Sequence, residues 1–138
     1  MHFGQALDDE RFVNVIHHAY EKGIRTFMTA DVYGNGQADE MLGRALAGVS
    51  RESYCLVGAT GHDFYHGKRE GSKGYPRFTD PTLRGPAQYT DYLKMAAEKE
   101  LARCRAQKFD LLLLHNPDSI GYSSEAVWEA LQSVKAIC

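Results

Sequence analysis

Gly23-Ile24-Arg25-Thr26-Phe27-Met28-Thr29-Ala30-Asp31-Val32-Tyr33-Gly34-Asn35-Gly36-Gln37-Ala38-Asp39-Glu40-Met41-Leu42-Gly43-Arg44-Ala45-Leu46 is the stretch that decides the fold. Its opening, Ile24 to Ala30, is a short strand-like run. Asn35 and Gly36 supply a turn and are assigned no chemical role. From Gln37 to about Ala47 the spacing predicts a helix, with Met41, Leu42, Ala45 and Leu46 inward and Gly48 at its end. A strand, a turn and a helix are thus written in one continuous segment.

The same alternation extends in both directions. Upstream, Asp8 and Asp9 can cap a helix that runs to about Lys22. Its Phe12, Val15, Ile16 and Ala19 share one face, and Gly23 stops it. Downstream, Tyr54 to Ala59 reads as a second strand, followed by a long polar segment from Thr60 to Pro86. A strong helix then ends near Gln107, with Leu93, Ala97, Leu101 and Cys104 on one stripe. Phe109 to Leu114 is a continuous apolar run, the pattern of a parallel strand covered on both faces. Ser123 or Ser124 can cap a last helix carrying Val127, Leu131 and Val134. The order α-β-α-β-α-β-α indicates a parallel sheet with crossover helices, either an open doubly wound sheet or a closed barrel. No G-x-G-x-x-G follows a strand, so the dinucleotide fingerprint of the open fold is absent.

Composition narrows the class. The 138 residues are 25% charged and 43% hydrophobic, ordinary values for one soluble globular domain spanning 1–138. A net charge of −2 argues against nucleic acid or an anionic membrane as partner. No apolar run approaches the roughly 18 residues of a membrane span. Met1-His2-Phe3-Gly4 lacks the basic and apolar regions of a signal peptide. Cys55, Cys104 and Cys138 show no CxxC spacing and read as reduced thiols, so a cytoplasmic location is expected.

The Gly23–Leu46 segment resembles the aldo-keto reductase signature, roughly G-x-R-x-F-D-T-A-x-x-Y-G-x-G-x-x-E-x-x-L-G-x-A-L. Phe109-Asp110-Leu111-Leu112-Leu113-Leu114-His115-Asn116-Pro117-Asp118 is similar to that family's fourth strand, which ends in a catalytic histidine followed by x-P. Met1 to Gly4 looks like the tail of its first strand. The resemblance implies an incomplete parallel (β/α)₈ barrel of the TIM type, strands 2 to 4 with helices 1 to 4. A full barrel has eight strands and typically ~250 residues, so the chain is expected to be a fragment. The resemblance also implies NADP(H)-dependent oxidoreduction of a small carbonyl or sugar-like substrate. The cofactor's phosphate contacts are expected on the barrel's last strands. No cofactor-binding residue is therefore assigned, and the isolated chain is expected to bind NADP(H) poorly and to be inactive. It is also expected to self-associate through its open barrel face.

In the family a Tyr protonates the carbonyl oxygen and a His hydrogen-bonds it. A Lys lowers the Tyr pKa, and an Asp holds the Lys. A phenol with pKa near ~10 is a sluggish acid until a neighbouring cation stabilises its phenolate. By resemblance, Tyr33 and His115 occupy the tyrosine and histidine positions, at the strand ends where barrel enzymes keep their chemistry. The other two positions depart from the pattern: Met28 stands for the Asp and Ala59 for the Lys, and no Lys occurs between Arg51 and Gly67. Losing both together leaves no uncompensated buried charge. His62, three residues beyond Ala59, is the candidate to supply substitute positive charge near Tyr33.

Other features receive blander readings. His62 and His66 have H-x₃-H spacing, but flanking Gly61 and Gly67 indicate a loop, and no metal site is assigned. His17 and His18 read as solvated helix residues. Lys68, Arg69, Lys73, Arg77 and Arg84 are candidates for an anion-binding lid. Phe64, Tyr65, Tyr75 and Phe78 imply that their loop packs on something. Two rivals remain open: a non-redox acid-base enzyme, an eliminase or isomerase using Tyr33 and His115, and a non-catalytic binding barrel.

Overall fold

The computed structural model describes residues 9–71 and 74–135. Met1 to Gly4, Asp8, Lys73 and Cys138 lie outside the described residues. Helix α1 spans Asp9–Glu21, and Gly23, at φ 96°, turns the chain out of it. Strand β1 is Thr26–Met28, α2 is Gln37–Ala45, and β2 is Cys55–Thr60. Helix α3, Tyr89–Cys104, leads to strand β3, Leu111–Leu114. A short helix α4, Ser119–Ser123, and a longer α5, Glu125–Val134, close the described chain. The three strands form one parallel sheet in the order β1-β2-β3. The sheet is unclosed. The expected alternation therefore holds, with α4 as an addition that hydrophobic periodicity did not signal. Asp118 caps α4 by accepting the Gly121 N–H at 2.8 Å.

The core lies on one face of the sheet, under the helices. Phe27, Leu42, Leu56, Leu101 and Phe109 form one buried cluster. Phe78, Tyr92, Leu93, Ala97 and Val127 anchor a second. The opposite face is bare along the outer strands, while Val57 and Ala59 of the central strand stay buried on it. Leu111 and Leu113 are 50% and 38% exposed, whereas Leu112 and Leu114 pack against the clusters. The expectation that this strand is covered on both faces is thus corrected: strand residues alternate sides, and only the helix side is covered. Val15, expected on the buried face of α1, is also 54% exposed.

Two close approaches fix the layers. A β-carbon at Gly58 would lie 2.7 Å from the Phe109 ring, so that ring packs directly on the β2 backbone. Gly36, at φ 94°, is buried against Arg103 of α3, where a β-carbon would meet the guanidinium at 2.6 Å. Asp110 pins the start of β2, accepting from the Leu56 N–H at 2.7 Å and from Arg51 at 2.6 Å.

Gly58→Ala is expected to destabilise the protein by about 1–3 kcal/mol through overpacking, and Phe109→Ala by about 3–5 kcal/mol through the cavity it leaves. The combination Gly58→Ala with Phe109→Leu should cost less than the sum of its parts, because the two sites touch. Urea denaturation midpoints check this; strict additivity would show that the ring does not set the spacing.

Candidate functional site

The C-terminal ends of the strands gather the residues singled out in the sequence. After β1 the chain reaches Tyr33, whose N–H donates to the Ala30 carbonyl at 2.9 Å. One turn of 3₁₀ helix, Tyr33–Gly36, follows, with Gly34 and Asn35 both left-handed. This is the turn expected at Asn35 and Gly36, and it leaves the Tyr33 side chain 42% exposed. His115 follows β3 directly, its N–H donating to the Thr60 carbonyl at 2.8 Å. The Tyr33 and His115 rings meet edge to face, 5.3 Å apart at an interplanar angle of 88°. His62 also packs on His115, 4.9 Å between centroids.

Burial, reinforced by repulsion from Arg77 and by the adjoining His62 ring, pushes the His115 pKa down to about 4. At neutral pH its ring is uncharged and can donate a hydrogen bond to an oxygen without protonating it. Burial also lowers the His62 pKa, and Arg77 adds to the effect. Both effects work against the positive charge expected of His62. Its Nδ1 lies 3.1 Å from the Tyr75 carbonyl and 3.0 Å from Arg77 Nη1. One tautomer donates to the carbonyl and the other accepts from Arg77. The permanent cation at this end of the sheet is Arg77, held by Nε donating to the Asn116 carbonyl at 2.5 Å.

Met28 is 61% exposed and Ala59 is 5% exposed. Phe27 and Leu56 belong to the helix-side core, so alternation turns Met28, Val57 and Ala59 to the bare face. Ala59 pairs in register with Leu113, two residues before His115. The four positions that the resemblance singles out thus gather at the bare face and the strand ends.

The loop between β2 and α3 is a packed wall. Asp63, wholly buried, pairs with Arg84, and its Oδ1 accepts the Tyr65 and His66 N–H groups at 3.0 and 2.9 Å. Phe78 stacks on Tyr92 at 5.4 Å and 7°, which accounts for the loop's aromatic content. The lid reading is corrected for Arg84, which is buried and ion-paired, whereas Arg77 is pinned to the strand ends through its Nε. Lys68 and Arg69 are exposed. His17, although exposed, contacts the Ala45 carbonyl through Nε2 at 2.6 Å. Cys55 and Cys104 are free thiols.

On the helix side lies a cluster that sequence reading missed. Asp31, Asp39 and Glu100 are wholly buried. Thr60 donates to Asp31 at 2.8 Å, Thr29 to Asp39 at 2.6 Å, and the Ala59 N–H to Glu100 at 3.2 Å. Arg103 donates to Asp39 at 2.8 Å and to the Tyr65 hydroxyl at 3.0 Å. Asp31 Oδ1 and Glu100 Oε2 have no partner among the described residues. The available signal was Glu100 itself, an acid standing within the apolar stripe of Leu93, Ala97, Leu101 and Cys104.

The Aldo/keto reductase family model matches residues 1–136. A probable aldo-keto reductase of Glycine max is 28% identical over 133 residues, covering 96% of this chain and 34% of that protein. Among solved structures, the holo form of an aldo-keto reductase from Bacillus halodurans superposes with a TM-score of 0.73 at 25% identity, covering 94% of this chain and 38% of the other. An aldo-keto reductase from Klebsiella pneumoniae in complex with NADPH gives 0.65 at 22% identity, with 93% and 36% covered. The chain spans little more than a third of the length of these relatives. No helix among the described residues is long and apolar enough to cross a membrane.

The buried acids make stability depend on pH. Desolvation raises the pKa of Asp31 from 3.8 to about 7 and that of Glu100 from 4.5 to about 10. The folded state holds these protons more tightly than the unfolded chain does. Their contribution is therefore fully favourable below the unfolded values and is lost as pH rises through the folded ones. Stability should decline from about pH 4 to pH 7 through Asp31 and up to about pH 10 through Glu100. Glu100→Gln, which mimics the protonated acid, should flatten the slope between pH 5 and 9 and leave stability near pH 4 little changed. Urea midpoints across pH test this; an unchanged slope in Glu100→Gln would remove Glu100 from the account.

Proposed function

Because the chain belongs to the aldo/keto reductase family, we propose that the protein carrying it is an NADP-dependent oxidoreductase acting on a small carbonyl or sugar-like substrate, with Tyr33 and His115 at the carbonyl oxygen. The observation that carries this reading is the edge-to-face contact of Tyr33 and His115 at the strand ends. The Tyr33 hydroxyl gives its proton to the oxygen as the carbonyl becomes an alcohol. Neutral His115 donates a hydrogen bond to the same oxygen and stabilises the negative charge that develops there. When bound, NADPH supplies hydride to the carbonyl carbon. The residues present fit that group at its reacting end: a hydroxyl and a neutral imidazole stand together at the strand ends, where a carbonyl oxygen receiving hydride at its carbon would be bound. Contacts to the cofactor's phosphates are assigned to parts of the protein beyond these residues. The chain alone should therefore bind NADPH no better than about millimolar, roughly −4 kcal/mol. Titration calorimetry that returns micromolar affinity would overturn this division of labour. No specific feature among the described residues favours the eliminase, isomerase or non-catalytic readings.

Met28 and Ala59 leave Tyr33 without the Lys-Asp pair that assists the family's tyrosine. Restoring both, Met28→Asp with Ala59→Lys, should raise carbonyl reduction by on the order of 10- to 1000-fold. Ala59→Lys alone should gain less and cost stability, because its ammonium lacks a partner. Tyr33→Phe should abolish reduction. Steady-state rates on a panel of aldehydes and ketones, measured in the protein containing this chain, decide the matter. No gain in the double variant and no loss in Tyr33→Phe would end the aldo-keto reading.

A further inference from the structure

Arg77 differs from three other arginines packed around the sheet. Arg51 pairs with Asp110, Arg84 with Asp63 and Arg103 with Asp39. Arg77 has no carboxylate at ion-pair distance among the described residues. Its fixed partners are all uncharged: the antiparallel bridge to His62, the Asn116 carbonyl at Nε, and His62 Nδ1 at Nη1. Asp118 lines the same small cavity, of about 10 Å³. Its two oxygens accept from the Gly121 N–H at 2.8 Å and the Thr79 hydroxyl at 2.9 Å, and it forms no ion pair with Arg77. A half-buried guanidinium whose hydrogen-bond partners are all neutral can still take a carboxylate from outside on its remaining N–H groups.

The cation also belongs to the Tyr33 site by position. Tyr33 touches His115 at 5.3 Å, His115 touches His62 at 4.9 Å, and His62 lies 3.0 Å from Arg77. Its charge reaches the pair, since Arg77 contributes to the lowered pKa of both histidines. Neutral donors thus stand at one end of the row and a permanent cation at the other.

We propose that Arg77 is a specificity-determining residue of this site and binds the carboxylate of an oxo-acid whose carbonyl oxygen sits on Tyr33 and His115. This rests on the reading of those two residues given above. The single charge of a carboxylate matches one guanidinium with one nitrogen already committed to a carbonyl. A phosphate dianion calls for a second cation, and no hydrogen bond or ring contact among the described residues links Lys68 or Arg69, both exposed, to this row.

The test uses the protein containing this chain, with 4-oxobutanoate, butanal and methyl 4-oxobutanoate as substrates of matched length. The wild type should favour the oxo-acid over both neutral carbonyls by at least about tenfold in kcat/KM, and the preference should shrink with added salt. Arg77→Gln should reduce that ratio by about 10- to 100-fold, chiefly through KM, and Arg77→Lys should keep part of it. The wild-type ratio and its salt dependence need no variant, so a folding defect in Arg77→Gln does not decide the result. A wild-type ratio near one, or a ratio unchanged in Arg77→Gln, overturns the proposal. So does a stronger preference for a phosphate-bearing aldehyde. Direct titration with 4-hydroxybutanoate separates the two readings. Arg77-dependent binding without turnover of any carbonyl leaves the anion site standing and removes the reductase reading. Equal turnover of all three carbonyls does the reverse.

Discussion

Asp63 is wholly buried, and a carboxylate in that position has to be compensated within a few ångströms or lose its charge. Arg84 and two backbone N–H groups compensate it. Arg84 in turn lies over the Tyr92 ring of α3 at 4.2 Å and donates to the Phe78 carbonyl at 2.6 Å. The ion pair therefore ties both ends of the long loop after β2 to α3. Between those ties the Asp63 N–H donates to the Pro76 carbonyl at 2.8 Å and the Phe78 N–H to the Gly61 carbonyl at 2.9 Å. These bonds lay Arg77 beside His62, against the end of β3. A loop of this length without regular structure would otherwise wander. Here it forms one wall of the site.

Much of this was legible in the sequence, for reasons that differ by residue. The helix and strand order follows from apolar periodicity, and the Gly23–Leu46 segment and His115 are local patterns that need no tertiary information. The burial of Leu93, Ala97, Leu101 and Cys104 followed from spacing alone. The site of Arg77 was not legible, because it depends on a contact with Asn116 across 39 positions of sequence. The exposure of Leu111 and Leu113 agrees with the expected open barrel face and departs only from the two-sided cover that the apolar run suggested. An apolar run reports what a strand can bury and says nothing about which face is covered. Helix α4 was missed because Asp118 starts it with a side-chain cap and it is too short to show a period.

His62 is the instructive failure. Its position beyond Ala59 suggested a cation, and the structure does bring it to the site. The same burial that brings it there removes its charge, because desolvation penalises the protonated ring and Arg77 adds repulsion. A histidine can serve as a substitute cation only where it is solvated or faces a carboxylate. In this site the charge passes to the residue that cannot give up its proton, the neighbouring arginine.

Strand β2 separates two electrostatic regimes, and this bears on what Ala59 and Met28 mean. On the helix side, the Ala59 N–H and the Thr60 hydroxyl donate to Glu100 and Asp31. Those acids are held toward their neutral forms by burial and by one another, with Arg103 bonded to Asp39 alone of the three. On the bare side stand a tyrosine, two neutral histidines, a methionine and an alanine, with Arg77 at the edge. A lysine at Ala59 would project to the bare side, away from those carboxyls. They would in any case be poor counterions, because a protonated acid attracts an ammonium only weakly. The counterion would have to come from the bare face, where Met28 stands. The two departures from the family pattern are therefore one change in physical terms: without an acid at 28, a lysine at 59 has no partner on its own side of the sheet. Removing both leaves the shape and charge of the candidate site to His115, Tyr33 and the loop that Asp63 and Arg84 hold in place.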